Sequence, residues 1–198
     1  MGSDAAVLGF DTSAAHCAAA LLSGDRVLVA RSEEMGRGQA ERLMPLLEEV
    51  LAQAGLGWRD LARLGVGVGP GNFTGIRIAV AAARGLALAL DIPVLGISTF
   101  DAIAHGRTGA HLPAVPAPRD QIYVREAGAA PRLVPATGTV ARRLPLALPP
   151  DPVNLAIAIA RLAAAAVPPF PAPAPLYVRP VDAAPPREAP PVILDDDA

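Results

Sequence analysis

From Leu64 to Gly69 the chain alternates Leu64, Val66 and Val68 with Gly65, Gly67 and Gly69, so at the two-residue period of a strand one face is bulky and the other is bare glycine. A bare face is one against which something packs closely. Gly69-Pro70-Gly71 follows as a turn, and Asn72 or Thr74 stands where a side chain caps the next helix. Ahead of this joint, residues 7–11, 17–22 and 26–31 read as short strands, with a turn at Ser23-Gly24-Asp25. Helices are predicted over 39–54 and 74–90, and a strand over 94–98 is introduced by Asp91-Ile92-Pro93. The order β-β-β-α-β-α-β is that of a mixed sheet with helices packed on it.

Both helices carry more apolar surface than one sheet contact needs. On a helical wheel Leu43, Met44, Leu46, Leu47, Val50, Leu51 and Ala54 fall in an arc of roughly 160°. In the second helix Arg77 and Arg84 are the only polar side chains between Ile76 and Leu90. Ile76, Val80, Ala83, Leu86 and Leu90 form a bulky stripe suited to a sheet. Ile78, Ala82, Gly85 and Ala89 form a small-residue stripe suited to another helix. Leaving a large apolar side chain in water costs about 1.5–3 kcal/mol, so the surplus calls for a cover. That cover is the neighbouring helix or a second chain, and the pattern by itself favours the neighbouring helix. Arg77 opposes the helix dipole by about 0.3–1 kcal/mol, which points to a carboxylate or phosphate partner or to a solvated side chain.

The second half is less regular. Residues 112–117 and 122–127 read as strands, Asp151-Pro152 as the cap and first-turn proline of a helix reaching 167, and 176–179 as a further strand. Ten of the 22 prolines fall in 168–198, which predicts extended structure. Asp195-Asp196-Asp197 reads as a solvated acidic tail. The expected division is a first lobe over 1–104, a smaller second lobe over 105–181, and a proline-rich, acidic tail over 182–198.

Composition removes several chemistries. All 17 basic residues are arginine, so neither a Walker lysine nor a Schiff-base lysine exists. The glycine stretch does not complete G-x-G-x-x-G, because Pro70, Asn72 or Thr74 fills the third place. A net charge of −2 argues against holding nucleic acid unaided, and Arg142-Arg143 is the only adjacent basic pair. Cys17 has no disulfide partner and the start lacks a basic leader, so cytoplasm is the expected location. Arg77, Arg84 and Arg161 break the apolar stretches, and no membrane span is expected. His16, His105 and His111 lack zinc-site spacing, and no metal site is expected. Asp11-Thr12-Ser13 ends the first strand in a small polar turn where a metal or phosphate could sit, or in an ordinary turn. The glycine turn entering a helix is suited to an anion, or is a close strand-to-helix joint without a ligand.

Asp11-Thr12-Ser13, the segment GPGNFTGIRIAVAAARGLALALDIPVLGISTFDAIA from Gly69, and PLYVRPVDA from Pro175 resemble the TsaB (YeaZ) family. GPG-x-FTG-x-R is the specific element, and the resemblance covers nearly all of 7–104 and returns near the C-terminus. It implies an α/β, actin/Hsp70-like, ribonuclease H-related fold of two lobes with a reduced second lobe. It implies a non-catalytic, cytoplasmic partner in tRNA threonylcarbamoyladenosine formation, pairing with a TsaD-like catalytic subunit and a TsaE-like ATPase, or with its own copy when alone. tRNA is then met only indirectly, no cofactor is bound by this chain alone, and ATP/ADP and metal belong to the partner subunits. In that family the two helices after the meander contact the paralogous subunit, which places Leu43, Leu47, Val50, Leu51, Ile78, Ala82, Gly85 and Ala89 at an interface. Gly69, Gly71, Thr74, Gly75 and Arg77 mark the turn and helix start, and Asp11, Thr12 and Ser13 a vestigial nucleotide site.

The catalytic paralogue's metal-binding His-x-x-x-His aligns with Thr99 and Ile103, and isoleucine ligates nothing. The glycine pairs that hold adenosine in related ATPases have no counterpart, since no Gly-Gly occurs. Where relatives carry an Asp-Ala-Arg motif before a Tyr-containing strand, Pro116 replaces the acidic residue. The competing readings are a small ATP-dependent kinase or transferase with Asp11 as base or metal ligand, and a metallopeptidase, which needs a metal cluster.

Overall fold

The structure is a computed structural model that describes residues 5–137 and 144–178. β1 (Ala6–Asp11), β2 (His16–Ser23) and β3 (Arg26–Glu34) form an antiparallel meander. α1 (Gln39–Gln53) and a 3₁₀ turn at Trp58–Asp60 lead to β4 (Leu61–Gly67), parallel to β1. α2 (Phe73–Leu90) leads to β5 (Val94–Ile97), parallel to β4. The spatial order β3-β2-β1-β4-β5 makes this lobe a mixed sheet with helices packed on it, as expected. α3 (Thr99–Ala104) then enters a second sheet of order β8-β7-β6-β9, built from β6 (Leu112–Ala117), β7 (Gln121–Val124), β8 (Arg132–Pro135) and β9 (Leu146–Ala147). The final helix, α4 (Pro152–Ala165), returns to the first sheet.

The period-two pattern of β2 shows how that sheet is covered. Cys17, Ala19 and Leu21 join Leu8, Phe10, Leu64 and Val66 beneath α1 and α2, whereas Ala18, Ala20 and Leu22 pack on Ala156 and Ala160 of α4. α4 therefore presses on Gly65 of the bare face and on Gly9 beside it, whereas Gly67 meets Asp11 and Gly69 meets Ile76. A Cβ on Gly9 would stand 2.6 Å from the Ala160 nitrogen, and one on Gly65 2.8 Å from Ala163 Cβ. The helix starts as predicted, with Asp151 accepting the Asn154 N–H at 3.0 Å and Pro152 in the first turn. At its other end Arg63 donates to the carbonyls of Ala163 (2.6 Å), Ala164 (3.2 Å) and Ala166 (2.8 Å), with its guanidinium 4.7 Å from the Phe170 ring.

Several elements differ from expectation. β7 ends at Val124 rather than 127, and α4 ends at Ala165, ahead of Pro168-Pro169. Residues 176–178 form no strand. The Leu176 N–H still bonds the Val68 carbonyl at 2.8 Å and its side chain packs on the core, so the segment is a strap with one backbone bond. α3, β8 and β9 were not predicted, being six, four and two residues long. Residue 179 of the predicted strand, Arg142-Arg143 and the tail over 182–198 lie outside the described residues. α2 is long and apolar enough to cross a membrane by length and composition, but Ile76, Ala79, Val80 and Ala83 are buried within this chain.

Candidate functional site

β1 and β4 end side by side, and the turns that follow them interlock. Thr12 Oγ1 donates to the Gly75 carbonyl at 2.7 Å, and the Asn72 N–H donates to the Ser13 carbonyl at 2.6 Å. A Cβ on Gly71 or Gly75 would overlap the Ser13 or Thr12 carbonyl oxygen, so these glycines are required by the contact between turns. Gly69, at φ 92°, takes a backbone conformation costly to any other residue. Its carbonyl accepts the Thr99 N–H at 2.8 Å, while Thr99 Oγ1 donates to Pro70 at 3.2 Å. Asn72, not Thr74, caps α2, accepting the Gly75 N–H at 2.9 Å. The Asn72 and Gly75 N–H groups are thus taken within the chain, which is the geometry of a close strand-to-helix joint.

Asp11 lies at the centre of the joint, fully buried. Its Oδ1 accepts the Ser13 N–H and hydroxyl, both at 2.9 Å, and sits 2.8 Å from His16 Nε2. Its Oδ2 has no hydrogen-bond partner among the described residues and rests against Gly67, where a Cβ would displace it. Sequence reasoning set His16 aside for lacking zinc spacing. The signal that would have found it is the tight β1–β2 hairpin, which folds position 16 back onto position 11.

Between the sheets lies a cavity of about 740 Å³ lined by Ser13, His16, Phe73, Thr99, Pro116 and Tyr123 among others, six of its lining residues being proline. No arginine lines it, and Asp11 does not reach it. A nucleotide triphosphate with its metal needs cations or free N–H groups for the phosphates and an open carboxylate for the ion. The residues present do not fit that group, and Asp11 is not placed as the base or ligand of the kinase reading. Among the described residues no three His, Cys, Asp or Glu side chains cluster. Ile103 is buried against Phe100 and Val115. Pro116, paired with Ile122 across β6 and β7, presents an apolar wall to the cavity.

The expected interface divides in two. Leu43, Leu47, Val50 and Leu51 are 1%, 0%, 0% and 2% exposed, so these four are core residues of this chain and are corrected as such. The wide arc of α1 is covered by its own sheet and by α2. Arg42 fastens α1 to β3, bonding Glu33 through Nε at 2.7 Å and Glu49 through Nη1 at 2.7 Å. On α2 the picture reverses: Ile78 and Ala82 are half-buried, and Gly85 and Ala89 are exposed. Arg77, Ala81, Arg84, Gly85, Leu88 and Ala89 make one exposed strip at helical spacing, with Leu88 86% exposed. Leu88 lay outside the predicted stripe. Arg77 is exposed and has an aromatic neighbour: its guanidinium is 5.2 Å from the Phe73 ring, which stacks on Tyr177 at 5.0 Å.

A family model described as TsaD: tRNA N6-adenosine threonylcarbamoyltransferase matches residues 32–175. The chain is 38% identical over 106 residues to the tRNA threonylcarbamoyladenosine biosynthesis protein TsaB of Haemophilus influenzae, covering 53% of this chain and 44% of that one. It is 34% identical over 125 residues to the Escherichia coli protein of the same name, covering 61% and 54%. The chain thus spans about half the length of the curated relatives it matches. Among solved structures, YeaZ from Pseudomonas aeruginosa superposes with a TM-score of 0.64 at 27% identity, over 81% of this chain and 92% of that one. A second, titled an uncharacterized protein with similarity to peptidase YEAZ from Pseudomonas aeruginosa, gives 0.66 at 26% identity, over 88% and 100%.

Proposed function

The chain belongs to the TsaD family, in its TsaB/YeaZ branch, and from that premise we propose that it is a non-catalytic scaffold subunit in tRNA threonylcarbamoyladenosine biosynthesis. It pairs with and supports a TsaD-like catalytic subunit in the cytoplasm. The observation that carries this reading is the exposed strip of α2, where Leu88 stands 86% in water beside small residues that let another helix approach. Leu88 in particular is costly to leave bare. The nucleotide and metal come with the catalytic subunit and a TsaE-like ATPase, which accords with an interlobe cavity that offers phosphates no cation. Without its partner the strip is covered by a second copy of the chain, and tRNA is reached through the partner.

The test is a reconstitution of catalytic subunit, ATPase, threonine, bicarbonate, ATP and tRNA, with and without this chain, followed by nucleoside analysis of the tRNA. Modification should require the chain, and the chain alone should modify nothing. Leu88→Glu should fold as the wild type, lose about tenfold or more in affinity for the catalytic subunit, and lower modification in parallel. Equal modification without the chain, or undiminished assembly of Leu88→Glu, would overturn the reading.

A further inference from the structure

We propose that a second pocket, where the end of α3 meets one face of α4, binds a phosphate group. The pocket, of about 270 Å³, is lined by His105, Arg107, Asn154 and Arg161 over a floor that includes Ile103 and Ile157, and no Asp or Glu lines it. It shares Pro150 with the interlobe cavity and no residue with the α2 strip. A water in the liquid takes about 30 Å³, so a phosphate fits together with the carbon that esterifies it.

Two elements build the site. On α4, Asn154, Ile157, Ala158 and Arg161 fall at i, i+3, i+4 and i+7 and so share one face. Asn154 is in the first turn, and its N–H and side-chain amide both go to the capping Asp151 carboxylate, at 3.0 and 2.6 Å, so the two arginines are left to hold the ligand. At the end of α3, Arg107 is held by Nε–H to the Ile103 carbonyl at 2.9 Å and by Nη2 to the Leu148 carbonyl at 3.4 Å. A guanidinium has five N–H groups, so Arg107 is positioned and still has donors in reserve. Arg161 is exposed and has no carboxylate partner among the described residues.

Exposed arginines are common on this chain, Arg26, Arg37, Arg59, Arg84 and Arg119 among them, and what sets Arg107 and Arg161 apart is that both line one pocket. Arg31, Arg42, Arg125 and Arg132 each meet a carboxylate, Arg63 meets helix carbonyls and Arg77 an aromatic ring. Arg107 and Arg161 instead share a pocket without an acid, on a chain whose net charge is −2. A phosphate in that pocket accepts from both side chains in the bidentate geometry that guanidinium prefers. The phosphate is that of a free small molecule or of a ribose-phosphate backbone, and the chemistry of recognition is common to both.

Inorganic phosphate and a single-stranded RNA dodecamer are titrated separately into the full chain, its Arg161→Gln variant and an Arg59→Gln control, with calorimetry as readout and circular dichroism as the check on folding. Saturable binding by wild type and Arg59→Gln, weakened about tenfold or more in Arg161→Gln, supports the site. If the RNA arm carries the effect, the slope of log affinity against log salt falls by about one in Arg161→Gln, and the phosphate is that of a backbone. If only inorganic phosphate responds, it is that of a small molecule. The proposal is overturned if neither probe saturates, or if Arg161→Gln binds both as tightly as the wild type. Neither result depends on the scaffold reading, whose own test uses the α2 strip.

Discussion

Gly65 and Gly85 differ only in what surrounds them, and they make opposite predictions. A methyl on Gly65 would stand 2.8 Å from Ala163 Cβ and 2.9 Å from the Ile159 carbonyl oxygen, both parts of a helix that cannot step aside without leaving the sheet. Gly65→Ala should therefore lower unfolding free energy by about 1–3 kcal/mol, read as a fall in the urea midpoint. Gly85 lies inside α2 with nothing within 4 Å of a Cβ. Gly85→Ala should raise the midpoint by about 0.5–1 kcal/mol, since alanine forms helix more readily and narrows the unfolded ensemble. Cys17 offers a third residue-scale test. Burial first, then the charge of Glu33, push its thiol up to about 11, with Arg42 opposing, and only a thiolate reacts quickly. At pH 8 the native chain should react with a thiol reagent at background rate, and urea should release full reactivity. Rapid labelling without denaturant would mean that β2 opens beneath α1.

At the scale of elements, the apolar surplus of the two helices was readable, but not its destination. A helical wheel reports the width of an apolar arc and says nothing of what lies opposite. The apolar arc of α1 is sealed, whereas α2, apolar on nearly every side, leaves Leu88 and Ala89 in water. The glycine face of β4 likewise announced a close neighbour without naming it. Gly67 meets Asp11, while the neighbour of Gly65, α4, follows almost a hundred residues later, and its fit rests on Ala156, Ala160 and Ala163, which look in sequence like any alanine run. α3 and β9 are too short to show a period at all, although Ser98-Thr99-Phe100-Asp101 carries the cap spacing S-x-x-D. Two substitutions separate the helices by experiment. Leu47→Glu places a charge in a fully buried position and should cost several kcal/mol or prevent folding. Leu88→Glu, at an exposed position, should stay within about 0.5 kcal/mol of the wild type. Comparable losses in thermal unfolding would mean that α2 is as enclosed as α1.

For the whole molecule, the question is what holds the second sheet to the first. Ser98 caps α3 by accepting the Asp101 N–H at 3.1 Å, Asp101 receives Arg125 from just beyond β7, and the Arg125 guanidinium lies 5.2 Å from the Phe100 ring. One carboxylate thus joins a helix that leaves the first sheet to the strand system of the second. Burial raises the Asp101 pKa, but the hydrogen bonds from Arg125 and Ser98 outweigh it and hold the carboxyl below its ordinary value. A depressed folded pKa means that the unfolded chain takes up the proton first. The pair's contribution is therefore present in full above the ordinary carboxylate range, near pH 4, and is lost as pH falls through the lower folded value. Asp101→Asn keeps the shape and removes the charge. Its urea midpoint should lie below that of the wild type at neutral pH, with the gap constant down to about pH 4 and closing on further acidification. Because Asp101 is half exposed, solvent screening keeps the gap small, so its shape against pH is the decisive reading. A gap that persists unchanged into acid would mean that the sheets are joined by packing around Phe100 and that the ion pair adds no charge-dependent hold.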